Sequence, residues 1–240
     1  MARWLIGYST CPETRAAFES QGHEVWTCDL RGDPHPRHLQ CDIWKVANDR
    51  WDAGIFHPTC TYLTVSAAWA FADADFERYP GVGYHQRVQP GTLVGAERRA
   101  ARDEAIANFK RLDRLPYPKA IENPAPSFIS KAHRPPDQTI QPNQHGDDAS
   151  KRTGLWLDRL PLIVQTKRVL GRVVEWPRGS GKMVERWANQ TDSGQNNLTP
   201  GDDRWLDRSR TYPGIAAAFG SQWGGKRQPD LLALMTPAAA

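Results

Sequence analysis

The sequence predicts an α/β protein: a doubly wound, mostly parallel sheet with a small loop-rich C-terminal region. Short apolar runs alternate with helical or looped crossovers from residue 3 to about residue 64, the pattern of successive βαβ units. A long amphipathic segment at 97–112 is followed at once by another strand-like run. A chain of 240 residues buries one substantial core and little more, so one domain with appendages is expected.

The elements follow in order. Trp4-Leu5-Ile6-Gly7-Tyr8 is a short apolar run, residues 13–21 have helical composition, and Glu24-Val25-Trp26-Thr27-Cys28 is a second extended run ending in Asp29. Together they form a βαβ unit. A Pro/His-rich connector at 32–38 leads to Leu39-Gln40-Cys41-Asp42-Ile43, and 51–56 is an apolar run stopped by His57-Pro58. Residues 64–94 carry aromatics, prolines and glycines without periodicity and read as an irregular insertion beside a strand end. Residues 97–112 are the strongest helix, with apolar positions three and four apart and a charged face expected to be solvated. Residues 118–124 read as a strand stopped at Asn123-Pro124, and 154–164 and 168–174 as two more strands. The polar stretch 177–203 predicts a long loop, 215–223 a short final helix, and the residues beyond Gly224 a mobile tail.

Composition narrows the setting. No run approaches the roughly 20 apolar residues of a membrane helix, and the first ten residues lack the basic start and cleavage site of an export signal. The four cysteines, Cys11, Cys28, Cys41 and Cys60, cluster in the first quarter, too few for a disulfide framework in a chain of this length, so a reducing cytoplasm is expected. A net charge of +4 suits a polyanionic partner without selecting one. Ten tryptophans and nineteen prolines suggest loop-rich structure with aromatics for packing first and stacking second.

Two strand ends stand out, because open α/β sheets bind ligands at the carboxyl edge. One is His57-Pro58-Thr59-Cys60-Thr61-Tyr62-Leu63-Thr64, the other Ile121-Glu122-Asn123-Pro124. A cysteine after a proline turn, outside the strand, is placed as a nucleophile, whereas one inside a strand is a small hydrophobe. Glu-Asn-Pro by itself equally suits a cap or loop. Cys28, His35, His38 and Cys41 contain zinc-ligand types, but both cysteines fall in or at the end of strands and prolines replace a tight knuckle, so no metal is expected. Gly179-Ser180-Gly181-Lys182-Met183 lacks the first glycine, the Ser/Thr and the strand-to-helix setting of a phosphate loop.

Together and in this order, these motifs resemble the cytosine-C5 DNA methyltransferase family, and compact phage-type members in particular. The family's Pro-Pro-Cys has its counterpart in Pro58-Thr59-Cys60, and its Glu-Asn-Val in Glu122-Asn123-Pro124. Phe18-Glu19-Ser20-Gln21-Gly22-His23 followed by Asp29 looks like the first helix, turn and acidic end of the second strand. Cys41-Asp42-Ile43 looks like Gly-Asp-Ile. Gln144-His145-Gly146 through Lys151-Arg152 to Leu155-Trp156-Leu157 resembles the block around Gln-Arg-x-Arg, and Arg208-Ser209-Arg210-Thr211-Tyr212-Pro213-Gly214-Ile215-Ala216 stands where the family has its closing Gly-Asn motif. The similarity runs across most of residues 4–220. It departs at Tyr8-Ser9-Thr10-Cys11-Pro12-Glu13, which has no glycine where the family's first loop is glycine-rich. The region 160–203 is also far shorter than the family's target recognition domain.

The resemblance implies a Rossmann-like methyltransferase fold with a catalytic domain at 1–160 and 204–224, a short recognition region at 161–203 and a flexible tail at 225–240. It implies S-adenosylmethionine-dependent methylation of cytosine C5 in DNA. Cys60 would add to C6 and so make C5 nucleophilic, and Glu122 would engage N3. Arg152 or Lys151 would assist at O2, with Asn123 and Thr64 also on the substrate. Asp29 would take the cofactor ribose and Asp42 its adenine amine, with Tyr8, Ser9 and Pro58 beside them. A base in duplex DNA would have to leave the stack. The implied setting is a cytoplasmic monomer, in host cytoplasm if phage-encoded, with no membrane partner. Two alternatives stay open: the same Cys/Glu pair acting on a free pyrimidine nucleotide or transferring another group, and a non-catalytic DNA-binding protein on a methyltransferase scaffold. Asp29 and Asp42 also suit plain loop caps, and Lys151 and Arg152 plain solvated charges.

Overall fold

Strand β1 (Arg3–Gly7) alternates between two cores, as the period of two requires: Trp4 and Ile6 enter one and Leu5 the other. In the computed structural model, which describes residues 1–73, 91–197 and 210–225, this alternation organises the whole sheet. Its other strands are β2 (Glu24–Asp29), β3 (His38–Gln40), β4 (Ala53–Phe56), β5 (Lys119–Pro124), β6 (Gln138–Ile140) and β7 (Thr153–Asp158). Their order is β3-β2-β1-β4-β5-β7-β6. The pairs from β3 to β5 are all parallel, and β7 runs antiparallel to both β5 and β6. This is the expected doubly wound, mostly parallel sheet.

Helices cover both faces, as a parallel sheet requires. On one face lie α1 (Pro12–Glu19) and α4 (Pro213–Trp223), which bring Phe18, Ile215, Phe219 and Trp223 against Trp4, Ile6, Val25 and Ile55. On the other lies α2 (Gly95–Asp113), with Phe109 and Leu112 against Leu5, Phe56, Ile121 and Trp156. A short α3 (Ile129–Ala132) follows β5. The two helices of the first face meet at Gly220, where a Cβ would sit 2.5 Å from the Ala17 carbonyl oxygen. His23, after the α1 turn, accepts the Ala2 N–H at Nδ1 over 3.1 Å and so ties α1 to the start of β1.

Several expectations are corrected. The charges of the long helix do not all face solvent: Arg98 is 5% exposed. The strand expected at 154–164 stops at Asp158, where Arg159 turns with φ 56°. The run at 168–174 does not join the main sheet. It supplies β8 (Arg172–Glu175), which pairs as a separate antiparallel hairpin with β9 (Met183–Arg186), a strand inside the expected long loop. Gly179 and Lys182 fall in the turn of this hairpin, which is not a strand-to-helix junction. β6 has no counterpart in the sequence reading. Among the described residues no helix is long and apolar enough to cross a membrane. Parts of the insertion (74–90), of the recognition region (198–203), of the closing segment (204–209) and the tail from 226 lie outside the described residues.

Candidate active site

β4 and β5 are parallel neighbours, with Phe56 in register with Ile121, so the residues after each strand reach the same sheet edge. His57 donates its backbone N–H to Gly7 at 3.0 Å, which extends the ladder one residue before Pro58 removes the next donor. The chain then turns. The Cys60 carbonyl accepts from the backbone N–H groups of Leu63 and Thr64, both at 3.0 Å, and the Cys60 side chain is exposed.

The turn is anchored from several elements. Asn123 on β5, 1% exposed, donates its side-chain amide to the Pro58 carbonyl at 3.1 Å. Thr64 forms an antiparallel bridge with Ser127, and Phe128 donates its N–H to Leu63 at 2.8 Å. Arg98 reaches in from α2, donating to the Thr61 carbonyl at 3.1 Å and the Leu93 carbonyl at 3.2 Å. Its guanidinium lies 4.8 Å from the Phe71 ring centre. A buried guanidinium is costly unless its donors are satisfied; here loop carbonyls take both terminal nitrogens, while Nε is buried without a hydrogen-bond partner among the described residues.

Glu122 is the second candidate group, its side chain 11% exposed. One carboxylate oxygen is hydrogen-bonded to His57 Nδ1, and the other lies 3.9 Å from Lys151 Nζ. Burial on its own would raise the carboxyl, but Lys151 and His57 outweigh it and bring it from the ordinary 4.5 down to about 2. Glu122 is therefore ionised at neutral pH. An ionised carboxylate only accepts, so His57 Nδ1 carries the hydrogen between them. Lys151 Nζ also donates to the Arg210 carbonyl at 3.2 Å, linking the site to the closing segment. Arg152 is exposed, and its backbone carbonyl accepts from Ala125 at 3.0 Å. Of the two adjacent cations, Lys151 is the one brought to Glu122.

The strand order reverses between β1 and β4, the usual ligand position in such sheets. Tyr8 follows β1 there with φ 58°, the left-handed conformation that glycine adopts without cost. Its hydroxyl donates to Asn108 Oδ1 on α2 at 3.1 Å, and burial pushes the phenol up to about 12, so it stays neutral. Trp44 Nε1 donates to the same Asn108 oxygen at 2.9 Å, and Arg111 covers the Trp44 ring at 3.6 Å. The Ser9 hydroxyl accepts the Cys11 N–H at 3.0 Å. Asp29 and Asp42 each accept a backbone N–H two residues on, from Arg31 and Trp44, both at 2.8 Å.

Sequence reasoning assigned no role to His57, Arg98 or Asn108. For Arg98 a signal existed: it lies 11 and 14 residues before the buried Phe109 and Leu112, close to three and four whole turns, hence on the inward face. Among the described residues no group of three or more His, Cys, Asp or Glu could hold a metal ion. His38 pairs instead with Thr27 Oγ1 at 2.9 Å and the Arg31 carbonyl at 2.8 Å. A depression of about 370 Å³ bordered by Ala17, His145, Thr166, Gly214 and Ala217 includes none of the site residues.

No family model matches the sequence, and no curated protein matches it either. Solved structures do. The chain is similar to the Dnmt2 methyltransferase of S. pombe, with 16% identity, 65% of this chain and 48% of that chain covered, and a TM-score of 0.39. It is also similar to a protein described as a DNA modification methyltransferase encoded within an E. coli prophage, with 13% identity, coverages of 65% and 46%, and a TM-score of 0.37. The chain thus matches about half the length of each of these proteins.

Proposed function

We propose that this protein methylates cytosine at C5 in DNA, with S-adenosylmethionine as methyl donor, Cys60 as nucleophile and Glu122 as the group facing N3. The observation that carries the reading is the delivery of Cys60 and Glu122 to one sheet edge, with Asn123, next to Glu122, holding the carbonyl of Pro58 in the Cys60 turn. An exposed cysteine and a buried ionised carboxylate at the ends of neighbouring strands suit nucleophilic addition to a ring that must pick up charge elsewhere.

The residues at the β1/β4 switch point suit the cofactor. Tyr8 gives the glycine-free loop the backbone course a glycine would allow, and Asp29 and Asp42 offer acceptors at the ends of β2 and just beyond β3. They would hold ribose hydroxyls and an adenine amine. The bound cofactor supplies an electrophilic methyl group. Cys60 forms a bond to C6, the C5=C6 electrons shift toward N3 beside Glu122, and C5 becomes nucleophilic. Loss of the C5 proton to solvent and departure of Cys60 restore the ring and the thiolate. Residues 161–203 serve as the recognition region, with the exposed Arg178 and Lys182 at the turn of the β8–β9 hairpin placed for phosphate contacts.

Mass spectrometry of a cytosine-containing oligonucleotide incubated with protein and S-adenosylmethionine should show 5-methylcytosine. Cys60→Ser should retain cofactor binding by calorimetry and lose the product entirely. Product formed by Cys60→Ser at the native rate would exclude the mechanism.

A further inference from the structure

We propose that His57 and Glu122 act as one proton-holding pair, in which His57 is the positioning residue that lets Glu122 present a hydrogen to N3 of the cytosine ring. This deepens the proposed function and rests on it. Neutral cytosine N3 is a lone-pair acceptor, and an ionised carboxylate is also only an acceptor. The two repel unless a proton lies between them.

Glu122 alone does not supply it. Lys151 from the segment before β7 and His57 from the end of β4 flank its two oxygens and keep it ionised at neutral pH. The geometry provides the remedy. His57 Nδ1 bonds directly to a Glu122 oxygen, with both side chains only 12% and 11% exposed. The other ring nitrogen, Nε2, is buried without a hydrogen-bond partner among the described residues, so no protein carbonyl pins the ring to one tautomer. The backbone of His57 is held by Gly7, one strand over, at 3.0 Å, which keeps the ring against the carboxylate while the Cys60 turn departs.

The balance is simple. Cys60 sulfur bonds to C6, the C5=C6 electron pair moves through the ring to N3, and N3 takes the proton from Glu122. The step starts from the ring with protons on both nitrogens: the His57 Nδ1 proton passes to the Glu122 oxygen, and the Nε2 proton that stays behind leaves a neutral imidazole. Reversal returns each proton to its origin and frees Cys60. While C5 is nucleophilic it also exchanges its hydrogen with water, so release of tritium from 5-tritiated cytosine in an oligonucleotide reads this step without a methyl donor.

The test variant is His57→Asn, whose amide can replace the Nδ1–H donor but cannot give up a proton. Tritium release should fall on the order of 100-fold at neutral pH, the usual scale of general acid catalysis. The deficit relative to native protein should shrink about tenfold per pH unit as acid protonates Glu122 directly, a response expected of an ionisable acid. Carbon-13 NMR of the Glu122 carboxyl should show its midpoint rising from about 2 in the variant. A merely structural role would give a pH-independent deficit. Native exchange that survives His57→Asn, or an unmoved Glu122 midpoint, overturns the pair and leaves the methyltransferase reading standing. Absence of exchange in the native protein overturns that reading and the pair with it.

Discussion

Arg98 presents a buried charge whose two terminal nitrogens each donate to a backbone carbonyl, of Thr61 and of Leu93. Both bonds depend on the planar fork of the guanidinium, which a lysine ammonium cannot copy. Arg98→Lys should therefore leave the fold intact and loosen the turn that carries Cys60. We expect kcat to drop roughly 10- to 100-fold, the scale on which small misplacements of a reacting group act. KM should change little, and melting should report a stability loss of about 1–3 kcal/mol from the weakened buried bonds. An unchanged kcat in steady-state assays would show that the turn holds its shape without Arg98. Tyr8 teaches the same lesson about single residues. A tyrosine at φ 58° is unusual, and its bond to Asn108, a hundred residues later, helps hold it there.

Helix α4 was legible as a helix and silent about its partner. Its small residues make sense only against α1, where Gly220 approaches the Ala17 carbonyl so closely that no Cβ fits. Gly220→Val should push the helices apart and cost about 1–3 kcal/mol, the usual penalty of overpacking. Denaturant unfolding measures this directly, and a native-like midpoint would show that the interface yields. The β8–β9 hairpin runs the other way. Its polar, glycine-rich surroundings read as loop, because an exposed two-stranded ribbon buries too little apolar surface to imprint a clean alternation. The extended runs of β1 and β4, each nearly continuous in apolar residues, left that imprint because both their faces are buried.

For the molecule as a whole, Glu122 couples stability to pH. Its folded pKa of about 2 lies below the ordinary 4.5, so its contribution is fully present above about pH 4.5 and is lost as pH falls toward 2. Glu122→Gln removes that contribution and leaves Lys151 and His57 without their carboxylate. The stability gap between native protein and Glu122→Gln, measured by urea unfolding, should be widest at neutral pH and close as the pH falls through about 3. A gap independent of pH would mean that the carboxylate gains nothing from its partners on folding.

By itself the sequence determined the alternation of strands and helices, the boundaries of most sheet strands to within a few residues, and the two segments that end at one sheet edge. These are local properties: period, turn residues and a proline that stops a strand act within a few positions of one another. Only the tertiary structure decided which side chains meet there. His57 and Glu122 are 65 residues apart, and Asn123 and Pro58 equally so. Arg98 lies 37 residues from Thr61. Strand order and helix packing bring such residues together, and no periodicity along the chain encodes a distance that folding alone creates.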